Sequence, residues 1–362
     1  MKRLRNSIPK LVENVWHDVA WLQTYLNPKA KMQWRVTNPP ESMEALNAWE
    51  DFHITQLTFF VNDAFPPYWK GLLPSLRHLT SLKICHNSND SGNLFEIVAK
   101  SSQIVEFQVI SPNYEFTTLD LVHLTQWFRD QPVRMFSCLA ILSIDIEMDL
   151  KKAFFQAMFS CPTLDKLELS FFDLVDVDFT LMTFTMRSLL LGSCLLYSSH
   201  VEALARQLVG SQLTEFDLTG YNDDNLYGIE CLVRCVPRTS IQYLALNFES
   251  IHDSPKWCNL AQLFENCTLD KLTIAAETIP PEFAATLGRA IQNNHTICEL
   301  NLAWSDIAMD DLGGLIQSMT HPSRQVPTKR IKWESSTQGG LDPSVVQALM
   351  EFTASCGGEF VV

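Results

Sequence analysis

Leu213-xx-Phe216-x-Leu218, Ile241-xx-Leu244-x-Leu246, Leu269-xx-Leu272-x-Ile274 and Ile297-xx-Leu300-x-Leu302 can be laid over one another position by position. Their central residues, 216, 244, 272 and 300, are 28 residues apart at every step. Asn266-Cys267-Thr268-Leu269 is echoed by Asn294-His295-Thr296-Ile297 in the same register. A fixed period of this length means that one strand-plus-helix unit is repeated. Each copy can bury its apolar face only against its neighbours, so many copies are needed.

Outward from this stretch the pattern loosens. Toward the N-terminus, strand centres are expected at Leu57, Leu82, Phe107, Leu142, Leu167 and Leu189, and toward the C-terminus at Ile331. The 35-residue interval from Phe107 to Leu142 has room for a helix over 119–129 and an extra loop. The 22-residue interval from Leu167 to Leu189 is too short for a full helix, so an extended or 3₁₀ crossing is expected there. Elsewhere the connections carry helical patterns. Val201, Leu204, Ala205, Leu208 and Val209 form one apolar stripe, with Ser199 and Glu202 spaced as a capping box. Pro280-Pro281-Glu282 opens another helix, and Asp310 and Asp311 precede a third.

These residues resemble the leucine-rich repeat family, in its ribonuclease-inhibitor-like subtype, over roughly residues 54–335. The resemblance implies an α/β leucine-rich-repeat solenoid, or horseshoe. A parallel β-sheet would line its concave side and helices its convex side, with about eleven repeats over residues 54–362.

Residues 1–53 do not fit the period. Ile8-Pro9 leads into Val15, Trp16, Val19, Leu22 and Leu26 at helical spacing, followed by Trp34-Arg35. One reading is a helical cap over the open edge of the first repeat. The other is a degenerate F-box-like segment, which the Ile-Pro opening faintly resembles and which would dock a ubiquitin-ligase adaptor.

Charge and cysteine usage narrow the functional classes. The 27 basic and 41 acidic side chains leave a net charge of −14, and the first 50 residues are slightly basic, so the repeat body is more acidic still. Such a body repels phosphate backbones, which excludes nucleic acid as a primary ligand and favours a protein partner with a basic surface. Ten cysteines are scattered singly without a C-x-x-C pair, as expected of reduced thiols in the cytoplasm or nucleus. No apolar run reaches membrane-spanning length, so no membrane association is expected.

No constellation for catalysis or cofactor binding emerges. There is no phosphate-binding loop, dinucleotide fingerprint or nucleophile elbow. Asp173-xx-Asp176-x-Asp178 lacks the glycine and the terminal glutamate of a calcium loop and reads as a solvated acidic loop. Cys231-xxx-Cys235 lacks a histidine pair at useful spacing. Gly313-Gly314 sits in a helical pattern, where close packing is expected.

The informative positions are those between the apolar strand residues, because alternate side chains point to the opposite face of the sheet. In the regular half these include Glu215, Asp217, Tyr243 and Glu299, with Phe248 and Trp304 just past strand ends. Acidic and aromatic side chains together suit a protein interface. The alternative for Phe248 and Trp304 is that they tuck into the turn as core. The sequence thus predicts a non-catalytic, cofactor-free interaction scaffold whose partner binds through Glu215, Asp217, Tyr243, Phe248, Glu299 and Trp304. An F-box-type ubiquitin-ligase receptor and a GTPase-activating regulator are the alternatives. The second resembles a family that carries a long acidic tail, where this sequence reads Glu359-Phe360-Val361-Val362.

Overall fold

A computed structural model describes residues 32–36, 53–61, 69–86, 93–142, 146–221, 226–252, 254–335 and 343–362. The segment compared with an F-box, residues 8–26, lies outside them. The chain forms two compact units, Met1–Phe172 and Asp173–Val362. In both, strands lie side by side in chain order, each parallel to the one before, and helices fill most of the connections.

In the first unit the strands are β1 (Met32–Val36), β2 (Ile54–Val61), β3 (Ser81–His86), β4 (Glu106–Phe116), β5 (Met135–Leu142) and β6 (Lys166–Ser170). Between them run α1 (Trp69–Ser75), α2 (Leu94–Lys100), α3 (Thr118–Asp130) and α4 (Met148–Phe159). Leu57, Leu82, Phe107, Phe136 and Leu167 stand in one register, and Phe59, Ile84, Val109, Cys138 and Leu169 in the next. All ten are buried. Aromatic edges fill the space between these strands and the helices. The Trp127 ring stands nearly perpendicular to Phe107, with centroids 6.0 Å apart, and Phe128 stands perpendicular to Phe136 at 5.3 Å. The Trp127 indole N–H donates to the Ile104 carbonyl at 3.0 Å, so this large side chain leaves no buried polar atom unmatched.

Two expectations change here. Leu142 is the last residue of β5, and the residue in register with Phe107 is Phe136 instead, so the 35-residue interval becomes one of 29. The apolar run 133–142 permits two placements by spacing alone. Val133-xx-Phe136-x-Cys138 has the spacing of the central repeats, but cysteine stands where leucine is usual. In addition, β1 precedes the first expected strand, with Trp34 opposite Leu57 and Val36 opposite Phe59.

The second unit contains β7 (Ser188–Gly192), β8 (Glu215–Tyr221), β9 (Tyr243–Phe248), β10 (Lys271–Ala276), β11 (Glu299–Ala303), β12 (Arg330–Trp333) and β13 (Glu359–Val361). Its helices are α5 (Ser198–Leu208), α6 (Tyr227–Cys235), α7 (Pro255–Leu263), α8 (Pro281–Asn293), α9 (Met309–Met319) and α10 (Pro343–Ser355). Leu189, Phe216, Leu244, Leu272, Leu300, Ile331 and Phe360 share one register, so the 28-residue period is the strand register itself. Ahead of β7 the short connection makes the expected 3₁₀ turn, Phe179–Leu181, capped by Asp178, whose carboxylate accepts from the Thr180 N–H at 3.0 Å. Asp173 likewise accepts from the Val175 N–H at 3.0 Å. The acidic loop thus spends two of its carboxylates on building turns.

The Asn294 of the repeated Asn-x-Thr mark is buried at the end of α8. Its amide donates to the carbonyls of Phe264 and Cys267, each at 2.8 Å, and its oxygen accepts from the Thr296 and Ile297 N–H groups at 2.8 and 2.7 Å. One side chain therefore satisfies backbone groups in two successive repeats and fixes their spacing. Asn266, its partner in the sequence echo, is exposed, because α7 ends in an extra 3₁₀ turn over Phe264–Asn266 and Cys267 takes the cap. At the start of α5 the expected Ser199–Glu202 box is replaced. The His200 Nδ1 accepts from the Tyr197 N–H at 3.1 Å, and Glu202 pairs with Arg206 at 2.5 Å.

Candidate interaction face

Buried and partly exposed residues alternate along β11, so one face of the sheet meets the helices and the other faces outward. On the outward face of the second unit, strand register sets two rows of side chains. The first runs Ser188, Glu215, Tyr243, Lys271, Glu299, Arg330 and Glu359 across β7 to β13. The second runs Leu190, Asp217, Ala245, Thr273, Asn301, Lys332 and Val361 over the same strands.

Five of the six sequence-selected residues belong to this face or its border. Glu215 is exposed, while Asp217, Tyr243 and Glu299 are half-buried among their row neighbours. The Lys271 ammonium lies 4.4 Å from the centre of the Tyr243 ring, a cation–π contact between adjacent strands. Burial pushes the Tyr243 phenol up from its usual range; a hydrogen bond from Thr273 opposes the shift, and the charges of Asp217 and Glu215 add to it.

Phe248 is a correction. It is 3% exposed and packs edge-on against Trp257 with centroids 4.9 Å apart, so it is core. Trp304 goes the other way, at 67% exposed. Both stand two residues past the second apolar position of their strand, and backbone conformation separates them. Phe248 continues the strand and pairs with Ala276 of β10. Trp304 has a φ of 52°, in the left-handed region, which turns its side chain outward. The same position is left-handed at Ser193 and Gly220. At Gly220 a side chain would meet the Ser193 backbone at 2.9 Å, so glycine is required there. In the first unit, Phe171 repeats the geometry, with a φ of 65° and half of its surface exposed.

Sequence reading did not select Lys271, Arg330 or Lys332, which set cations among the carboxylates at the C-terminal end of the face. The strand register was the signal available for them, since it sets Lys271, Glu299, Arg330 and Glu359 in one line of alternating sign. Arg330 pairs with Glu359 at 2.7 Å, and Lys332 pairs with Glu334. The first joins β12 to β13, and a cross-strand pair of this kind contributes about 0.2–1 kcal/mol. Among the described residues no group of three or more metal-ligating side chains converges, and no helix is long and apolar enough to cross a membrane.

No protein-family model and no curated protein matches the chain. Among solved structures, a Bacteroides fragilis protein determined as a structural-genomics target is similar at 12% identity and a TM-score of 0.36. The similarity covers 68% of this chain and 64% of that one, so the chain spans just under two thirds of that protein.

Proposed function

We propose that this chain is a leucine-rich-repeat protein of the ribonuclease-inhibitor-like kind that binds another protein through the outward strand face of its second unit, with no catalysis of its own. The strand register at 28 residues and the alternation of strand and helix support the family reading. One observation carries the functional reading: Trp304 holds a bulky indole in left-handed backbone with two thirds of its surface in solvent. Left-handed backbone costs a non-glycine residue about 1–2 kcal/mol, and an exposed indole recovers little of that within the fold. A partner that covers the ring recovers it on binding, and tryptophan is the most enriched anchor in protein interfaces. Glu215 and Asp217 favour a basic patch on the partner, over the β8 end of the face. Ten cysteines with no disulfide among them suit a reducing compartment, the cytoplasm or nucleus.

The test is capture of partners from a lysate of the source cells on the immobilised full-length chain, followed by titration of the recovered protein. Trp304→Ala and the charge reversal Glu215→Lys are each expected to weaken that complex at least tenfold, while Lys83→Ala in the first unit leaves it unchanged. Normal binding by both second-unit variants, with far-UV circular dichroism intact, sinks the reading.

A further inference from the structure

At the C-terminal end of the same face, β10 to β13 enclose a concavity of about 400 Å³ lined by Lys271, Glu299, Asn301, Arg330, Lys332 and Glu359, with Leu300 and Val361 completing it. We propose that it is a cradle for the C-terminal carboxylate of a partner peptide; the inference rests on the reading that this face binds a protein.

The charges come first. Arg330 and Lys332 have carboxylates of their own, Glu359 and Glu334. Among the described residues Lys271 has no ion pair, and its ammonium is held over the Tyr243 ring. It is the cation in the cradle left to meet an incoming anion. Glu299 stands directly between Lys271 and Arg330 in the register and limits how much negative charge the cradle accepts. A single carboxylate fits that balance. A phosphate group, with about −1.5 to −2 charge, fits it poorly.

The second observation is Asn301, beside Lys332 in the register. Its amide oxygen is buried and has no hydrogen-bond partner. A buried acceptor of this kind calls for an N–H donor, and a ligand supplies it once the partly exposed Asn301 side chain turns toward the cradle. The last residue of a peptide carries a carboxylate and an amide N–H on the same α-carbon, one for Lys271 and one for Asn301. An acidic side chain or an inorganic anion supplies the charge without the donor. Capture of a chain terminus by converging polar groups is a known recognition mode.

Trp304 completes the ligand. It lies three residues past Asn301, in the turn just beyond the end of β11, at most about 10 Å away. An extended peptide ending at Asn301 therefore brings the side chain about three residues before its terminus over the indole, and an apolar or aromatic residue is expected there.

The probe is a fluorescein-labelled decapeptide pool with its last four positions randomised, made both as the free acid and as the C-terminal amide. It is passed over the immobilised full-length chain. The free-acid pool is expected to be retained and enriched in apolar residues three places before the end. Amidation should reduce retention at least tenfold. Lys271→Met, which keeps the stem against Tyr243, and Asn301→Asp should do the same. Equal retention of acid and amide overturns the proposal. So does retention of neither, or enrichment of internal acidic residues regardless of the terminus. If the partner captured from lysate is lost on Trp304→Ala but kept on Lys271→Met, the carboxylate cradle falls and the interaction face stands. If both variants bind it normally, both readings fall.

Discussion

Trp304 and Phe248 occupy the same repeat position and have opposite fates, and the difference lies in one backbone angle. If the left-handed conformation at Trp304 is strain held for binding, glycine should relieve it. Trp304→Gly is expected to leave the urea unfolding free energy unchanged or raise it by up to ~1 kcal/mol, because the lost indole was largely solvated and glycine adopts positive φ freely. Trp304→Ala keeps the strain and should not show the gain. A loss of more than ~1 kcal/mol on Trp304→Gly would mean the indole is packed and the binding role is unsupported. The sequence held Glu215, Asp217, Tyr243 and Glu299 in plain view, because strand alternation alone assigns them to the outward face. It could not separate Phe248 from Trp304, since side-chain chemistry does not report φ. Nor could it single out Asn301, whose peculiarity is a missing hydrogen bond.

At the scale of elements, the regular half was legible because four copies shared one spacing, while β5 was displaced by a cysteine in an apolar slot. Helix glycines show how little residue type alone decides. Gly228 in α6 approaches the start of α5 so closely that an added Cβ would lie 2.4 Å from the Ser198 carbonyl oxygen, and its own N–H donates to the Ser198 hydroxyl at 2.6 Å. Gly313 and Gly314 in α9, where close packing was expected, have nothing within 4 Å of such a Cβ. Alanine favours a helix over glycine by roughly 1 kcal/mol, whereas overpacking against backbone costs roughly 1–3 kcal/mol. Gly228→Ala should therefore lower the unfolding free energy by up to about 2 kcal/mol, and Gly314→Ala should raise it by up to ~1 kcal/mol. Urea titration of the two variants side by side checks both signs. If they shift the midpoint in the same direction, the close α5–α6 approach is not what selects glycine at 228.

Across the whole molecule, five of the ten scattered cysteines are buried as small apolar core residues, and this gives the chain a dependence on alkaline pH that its acidic composition does not suggest. Cys138 in the first unit and Cys267 in the second are both buried. Burial raises the Cys138 thiol well above its ordinary value, and pushes Cys267 from 9.0 up to about 12. Below pH 9 both folded and unfolded chains hold these protons, and the thiols add no pH dependence. Between about 9 and 12 the unfolded chain releases a proton from Cys267 that the folded chain retains, so the unfolded state binds fewer protons and stability falls as pH rises. The slope is roughly 1.4 kcal/mol per pH unit for each such thiol. Lysines and tyrosines also titrate in this range, so the total slope alone does not identify the cause. The difference between wild type and Cys267→Ala does. In urea unfolding series from pH 7 to 11 under reducing conditions, the variant should start less stable, having lost core volume and the contacts of the Cys267 Sγ to the Val233 and Leu263 carbonyls at 3.7 and 3.6 Å. Above pH 9 its curve should fall less steeply and approach that of the wild type. Parallel curves over the whole range would show that the Cys267 thiol ionises as readily in the folded chain as in the unfolded one, and that its burial does not control its proton.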